Sequence, residues 1–366
     1  MHLRRPRVFA AIPLALAALF GCQSIIGADF SGHHLEVCNP ATFPPPPKIT
    51  GAGSGADIVL VTSKIDLGEY DRPDGAPGYA TIGYSLDGVC NRDQACAAAA
   101  WTGAHLIRGL DGRDNGLGEL MHGQLEFFHQ VVFSTDMLNL NLKNGTHAPL
   151  FIFKVADYSG FSDDDEVEVT LYVASPQAED GKNFVPRWDG TDQWPIAPLP
   201  GAVADAGPLV PASYVDKNAY VSNYTLTARF PPGATIHFSN VAFMTNELVA
   251  TGQINPMTKT MSHGVLSGRM GIAEMFRHVP EVTQLLLSQT LCIDNPNYAR
   301  IKTYFCSFAD VRADAKATGG DCDGLSLGVG FDAAPANLGK VVIPTPVPGC
   351  PPATTTNNDT CQRPPL

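Results

Sequence analysis

Asp87, Asp111, Asp114 and Asn115 stand in Gly-rich, turn-like contexts: Leu86-Asp87-Gly88, then Asp111-Gly112-Arg113-Asp114-Asn115-Gly116. Hard-cation chemistry needs several carboxylate and carbonyl oxygens converging at about 2.3–2.6 Å, so calcium binding is one expectation for them. The stretch lacks the D-x-D-x-D-G register and the twelfth-position Glu of an EF-hand loop, and Arg113 sets a positive charge inside the cluster. The other expectation is structural, because Asp-Gly and Asn-Gly pairs are ordinary turn formers.

A second constellation is Trp188-Asp189-Gly190-Thr191-Asp192-Gln193-Trp194. Two indoles beside two carboxylates suit a glycan, by stacking plus hydrogen bonds; the same residues would equally serve to pack an insertion onto a sheet. Ser162-Asp163-Asp164-Asp165-Glu166 reads as a solvated acidic run before a strand. Nucleophile-elbow, H-E-x-x-H, Walker and dinucleotide fingerprints are absent from the sequence, and its histidines are scattered. Paired carboxylates for glycoside hydrolysis can come from distant strands, which keeps a polysaccharide hydrolase as the alternative function.

The elements that must position these groups are short. Gly (35) and Pro (30) punctuate the chain, which favours turns and strands over long helices. Residues 58–67, 78–86, 150–155, 166–173, 219–230, 234–238, 248–254, 265–268, 325–331 and 341–343 read as strands; 166–173 alternates most cleanly. Residues 97–101, 117–131, 270–276, 282–291 and 298–311 read as helical, with a break at Asn295-Pro296. With no βαβ alternation, the expected fold is mainly β: an antiparallel, jelly-roll-like β-sandwich with a few packed helices, stabilised by disulfides.

The N-terminus carries the most specific signal. Arg4, Arg5 and Arg7 precede an apolar run over residues 8–20, too short to span a bilayer. It ends in Leu19-Phe20-Gly21-Cys22, which resembles the lipobox of bacterial lipoproteins, with Phe20 where a smaller residue is usual. The resemblance covers residues 1–22. It implies cleavage before Cys22, acylation of its thiol, and a lipid bilayer as partner. Gln23, rather than Asp, favours the outer membrane. Removing Cys22 from nine cysteines leaves Cys38, Cys90, Cys96, Cys292, Cys306, Cys322, Cys350 and Cys361. An even set suits disulfides in an oxidising compartment. The closest pairs by sequence, Cys90 with Cys96 and Cys350 with Cys361, are the first expectation, with two more bridges among the rest.

The organisation expected is a signal peptide (1–21), a Pro/Gly-rich tether (22–56), a β-rich domain (57–344) with an insertion near 177–211, and a Pro/Thr-rich tail (345–366). The formal charge of −12 argues against a nucleic-acid partner, whose recognition rests on clustered Lys and Arg. Function is expected to be that of a membrane-anchored extracytoplasmic module that binds a glycan or surface partner or plays a structural part, with calcium as the one cofactor considered.

Overall fold

A computed structural model describes residues 39–48, 55–90, 96–97, 99–102, 112–123, 134–145, 151–202, 208–317 and 319–364. In chain order the strands are β1 (Ile58–Asp66), β2 (Phe151–Ala156), β3 (Asp164–Val173), β4 (Gln193–Ile196), β5 (Ser213–Ser222) and β6 (Thr225–Phe230). They continue as β7 (Thr235–Phe238), β8 (Val241–Met244), β9 (Glu247–Asn255), β10 (Thr260–Gly271), β11 (Gly324–Pro335) and β12 (Asn337–Val341). The α-helices among the described residues are α1 (Gly116–Gly123), α2 (Thr135–Asn144), α3 (Ile272–Leu287) and α4 (Pro296–Phe308).

Eight antiparallel strands close into a barrel in the order β1–β11–β10–β9–β6–β5–β3–β2. Mainly β is therefore right, but the expected sandwich is replaced by a barrel. The closing strand is β1, which pairs with both β11 (Leu60↔Pro335) and β2 (Leu60↔Phe153). Inward alternation looks the same in a sandwich and in a barrel, and only this pairing of the first strand with the last separates them. The lumen is filled at mid-height: Phe153 stacks on Phe331 with ring centroids 5.5 Å apart. A Cβ on Gly264 would come within 2.6 Å of the Phe331 ring, so glycine is what lets that ring lie against β10.

The β5–β6 connection is the tight pair Asn223-Tyr224, both with positive φ (+50° and +60°). Two such residues match the right-handed twist of a hairpin, which is why the run expected over 219–230 folds back on itself instead of continuing. Residues 78–86, expected as a strand, hold a 3-10 turn at Gly78–Thr81 instead. Gly78 and Gly83 lie where backbone approaches within 2.7 Å of an added Cβ, from Tyr70 O and Asp114 O respectively.

Helix α3 is one helix where two, over 270–276 and 282–291, were expected, and Pro280 lies inside it. A proline leaves the carbonyl four residues earlier, here that of Phe276, without its helical donor. The fully buried Thr356 fills the gap: its hydroxyl donates to Phe276 O at 2.7 Å. Thr356→Val should then cost about 2 kcal/mol, the order expected for a buried carbonyl left unsatisfied. In a Pro280→Ala background the restored N–H can reach that carbonyl, and the cost should fall by about 1 kcal/mol. A double-mutant cycle by urea unfolding checks this; additive costs would refute the link.

The tail that carries Thr356 is tied down elsewhere too. Cys350 is bonded to Cys292 and Cys361 to Cys306. Asp359 accepts hydrogen bonds from Tyr298 Oη (2.8 Å), Lys302 Nζ (2.6 Å) and the Thr360 amide (2.8 Å). The expected Cys350–Cys361 bridge is thus corrected, because the tail runs across α3 and α4 and each cysteine meets a partner beneath it. Cys90 with Cys96 is corrected as well. Cys96 is bonded to Cys322, held there by Ala97 N–H to Gly320 O (3.0 Å) and Cys322 N–H to Ala97 O (2.7 Å). Cys90 is itself disulfide-bonded, and Cys38 lies outside the described residues.

Part of the expected tether is docked. Phe43 packs on Tyr84 (centroids 4.5 Å apart) under the Arg229 guanidinium, and Pro44 O accepts from Tyr220 Oη.

Candidate ligand cavity

The two ends of the barrel are unlike. At one end strands are joined by residues 157–163, 223–224 and 256–259. At the other, the connections are residues 67–150, 174–212, 231–246 and 272–323. Loops mounted on a rigid scaffold are where binding groups concentrate, and here nearly all the loop length is at one end.

That end holds a cavity of about 420 Å³. Its floor is the barrel's own lining, Phe151, Met270, Leu327 and Val329. One wall is the apolar face of α3 and α4, including Met275, Val279, Ile301 and Phe305; another is the β7–β8 hairpin, with Phe238 and Phe243. α1 and α2 add Leu120, Met121 and Leu138. α3 is held in place at both ends: Ile272 N–H donates to Asp323 O, and Ser288 closes the helix in the left-handed conformation. α4 starts with Asn295, whose side chain accepts from the Asn297 amide, and with Pro296 in the first turn.

Polar groups are few and segregated. Gln289, Asn297 and Arg300 are exposed at the rim between the end of α3 and the start of α4. Arg300 Nε donates to Tyr304 Oη at 2.6 Å beside them. Thr283 lines the cavity too, but its hydroxyl donates to Val279 O and Pro280 O and accepts from the Leu291 amide. Among the described lining residues there is no carboxylate.

The remaining polar group is His237, buried on β7. Burial, followed by the charge of His278, pushes its imidazole down to about 4, so it is neutral at neutral pH. His278 is the opposite case. Burial alone would lower it, but Glu281 at 2.6 Å and Glu274 at 3.3 Å hold it up to about 9. Glu274 also accepts from the Met244 amide (2.9 Å) and pairs with Arg277 (2.8 Å), which fastens the β7–β8 hairpin to α3.

The described residues singled out in the sequence as cation or glycan ligands are not among those lining the cavity. Asp114 Oδ2 accepts from the Leu86 amide (2.7 Å) and Asp87 Oδ1 from the Val89 amide (3.0 Å). Asn115 accepts from the Gly118 amide at the start of α1, and Arg113 donates to Gly83 O. These side chains hold the turns; Asp111 lies outside the described residues, as does Cys22. No group of three His, Cys, Asp or Glu poised for a metal ion occurs among the described residues.

Trp194 is 1 % exposed and packs on Trp188 (centroids 5.1 Å) and Phe184 (4.9 Å). Asp192 is buried and accepts from the Arg187 and Trp188 amides, while Asp189 accepts from Thr191. The cluster pins the insertion to the fold, through β4 paired in parallel with β12.

The cavity residues carried no motif. The amphipathic pattern of α3 was the available signal, since one apolar face of a capping helix must cover something. Comparison of the chain with protein-family models, with curated proteins and with solved structures gives no match.

Proposed function

We propose that this protein is a lipid-anchored envelope protein whose barrel binds an elongated apolar molecule, such as the acyl chain of an amphiphile, at its helix-covered end. The cavity itself is the observation that carries this. Eight strands give a lumen that side chains can fill or that can hold one small ligand. Here the filling stops short of one end, and an apolar space with a polar rim continues under the helices. That is the usual composition of a small-molecule site. Each chain methylene buried there would contribute about 0.8 kcal/mol. The absence of carboxylates among the described lining residues favours binding over glycoside hydrolysis, which needs two of them. The lipobox-like Leu19-Phe20-Gly21-Cys22 supports membrane attachment, and the outer membrane is the proposed location.

Two experiments test this. Val279 is buried in the wall, and Val279→Trp fills the space at a stability cost of about 1–3 kcal/mol. Calorimetric titration with dodecanoate should show binding to the wild-type chain and a loss of about tenfold or more in Val279→Trp; equal affinities would defeat the cavity as the site. Cys22→Ser should move the protein from the membrane to the soluble fraction, and retention in the membrane would count against acyl anchoring.

A further inference from the structure

His237 Nδ1 is buried and has no hydrogen-bond partner among the described residues. Buried polar atoms in native proteins are nearly always paired, and His237 is among the residues that line the cavity, so its unmatched nitrogen bears on what the cavity holds. The other ring nitrogen is engaged. Nε2 lies 3.3 Å from Thr235 Oγ1, which in turn lies 2.8 Å from Tyr214 Oη. We assign the relay with the tyrosine hydroxyl donating to Thr235 and Thr235 donating on to Nε2, which puts the single proton of the neutral ring on Nδ1. The ring is then a hydrogen-bond donor without an acceptor, in an otherwise apolar enclosure.

We propose that His237 Nδ1 reads an uncharged oxygen, a hydroxyl or carbonyl, at the inner end of the bound chain, so that the ligand is an oxygenated acyl amphiphile and not a plain hydrocarbon tail. This rests on the ligand-binding role proposed above. Two further features support it. First, His278, the charged group whose field reaches His237, is already matched between Glu274 and Glu281, with Arg277 on Glu274. A charged ligand group would find no free counter-charge there, whereas an oxygen with no net charge needs none. Second, polar groups occur at opposite ends of the cavity. His237 packs with the β7–β8 hairpin near His278, and the rim lies past Leu287, nine residues further along α3, or about 14 Å at 1.5 Å per residue. A charged headgroup can stay hydrated at the rim beside Arg300 and Asn297 while the chain carries its second oxygen inward.

The discriminating probes are dodecanoate and 12-hydroxydodecanoate, titrated calorimetrically into the full chain carrying Cys22→Ser, so that no attached acyl group competes. The wild-type pocket should prefer the hydroxylated probe by roughly five- to tenfold, the range of one neutral hydrogen bond. His237→Phe should abolish or invert that preference while still binding dodecanoate. His237→Asn, which keeps a short donor, should retain part of it and serves if the Phe variant fails to fold. Equal affinities for the two probes in the wild-type chain would overturn the assignment and leave the cavity's role standing, with a water on Nδ1 instead. A preference that survives in the folded His237 variants would overturn it as well. Binding of neither probe would overturn this inference together with the ligand-binding role.

Discussion

Replacing Arg269 by alanine is expected to lower the unfolding free energy by about 3–5 kcal/mol, the range seen when one member of a buried ionic network is removed. Arg269 points outward from β10 yet is only 3 % exposed, because the loop around Leu86 and the segment after α4 cover it. Its Nε donates to Glu247 on β9 (2.8 Å), one terminal nitrogen donates to Arg312 O (3.0 Å), and the other to Leu86 O. One planar group therefore ties three pieces of chain that are far apart in sequence. Glu247 is 28 % exposed at its side chain and can regain water, so most of the loss should come from the two carbonyls. Arg269→Lys should recover little, since a single ammonium cannot present donors in those three fixed directions. Urea unfolding of the wild type and both variants checks this; a loss under about 1 kcal/mol for the alanine variant would mean that the network is not formed in solution.

The second large effect concerns Cys96–Cys322. The bridge closes 226 residues, against 58 for Cys292–Cys350 and 55 for Cys306–Cys361. Loop-closure entropy grows only logarithmically, so the long bridge should exceed either short one by about 1 kcal/mol, for a total near 5 kcal/mol. The paired serine variant, Cys96→Ser with Cys322→Ser, should unfold at markedly lower denaturant than Cys292→Ser with Cys350→Ser. The reverse order would show that the short bridges act through the folded state, by holding the tail onto α3 and α4, and not through the unfolded chain.

What could be read from the sequence was local. Residues 166–173 alternate because one face of β3 meets the lumen, and the same face-by-face demand made β2, β9 and β11 visible. Barrel closure was not visible, since Leu60 must meet both Phe153 and Pro335, and nothing near Leu60 encodes that. The short cysteine pairs failed for a related reason. Proximity in sequence governs chance encounters in an unfolded chain, whereas Ala97 is placed beside Gly320 by strand-like hydrogen bonds between segments more than 200 residues apart. The continuity of α3 across residues 277–281 was not legible either, because the group that satisfies the carbonyl freed by Pro280, Thr356, is contributed from 76 residues away in the tail. Asp87, Asp114 and Asn115 hold turns and the two Trp residues pack an insertion, roles that the sequence offered beside the chemical ones. His237 has no companion in its own stretch, and its importance comes from the space that Val279, Phe243 and Leu327 enclose around it.

The tail has one more consequence, in the order of biosynthesis. Residues 350–361 leave the ribosome after every barrel strand, and they carry Thr356, Asp359 and two of the cysteines that fasten α3 and α4. Barrel pairing can therefore precede the fastening of the helices, and two of the bridges that complete it form only under oxidising conditions. A chain kept among reducing thiols would lack both of these bridges, so the fastening of α3 and α4 would be complete only under oxidising conditions.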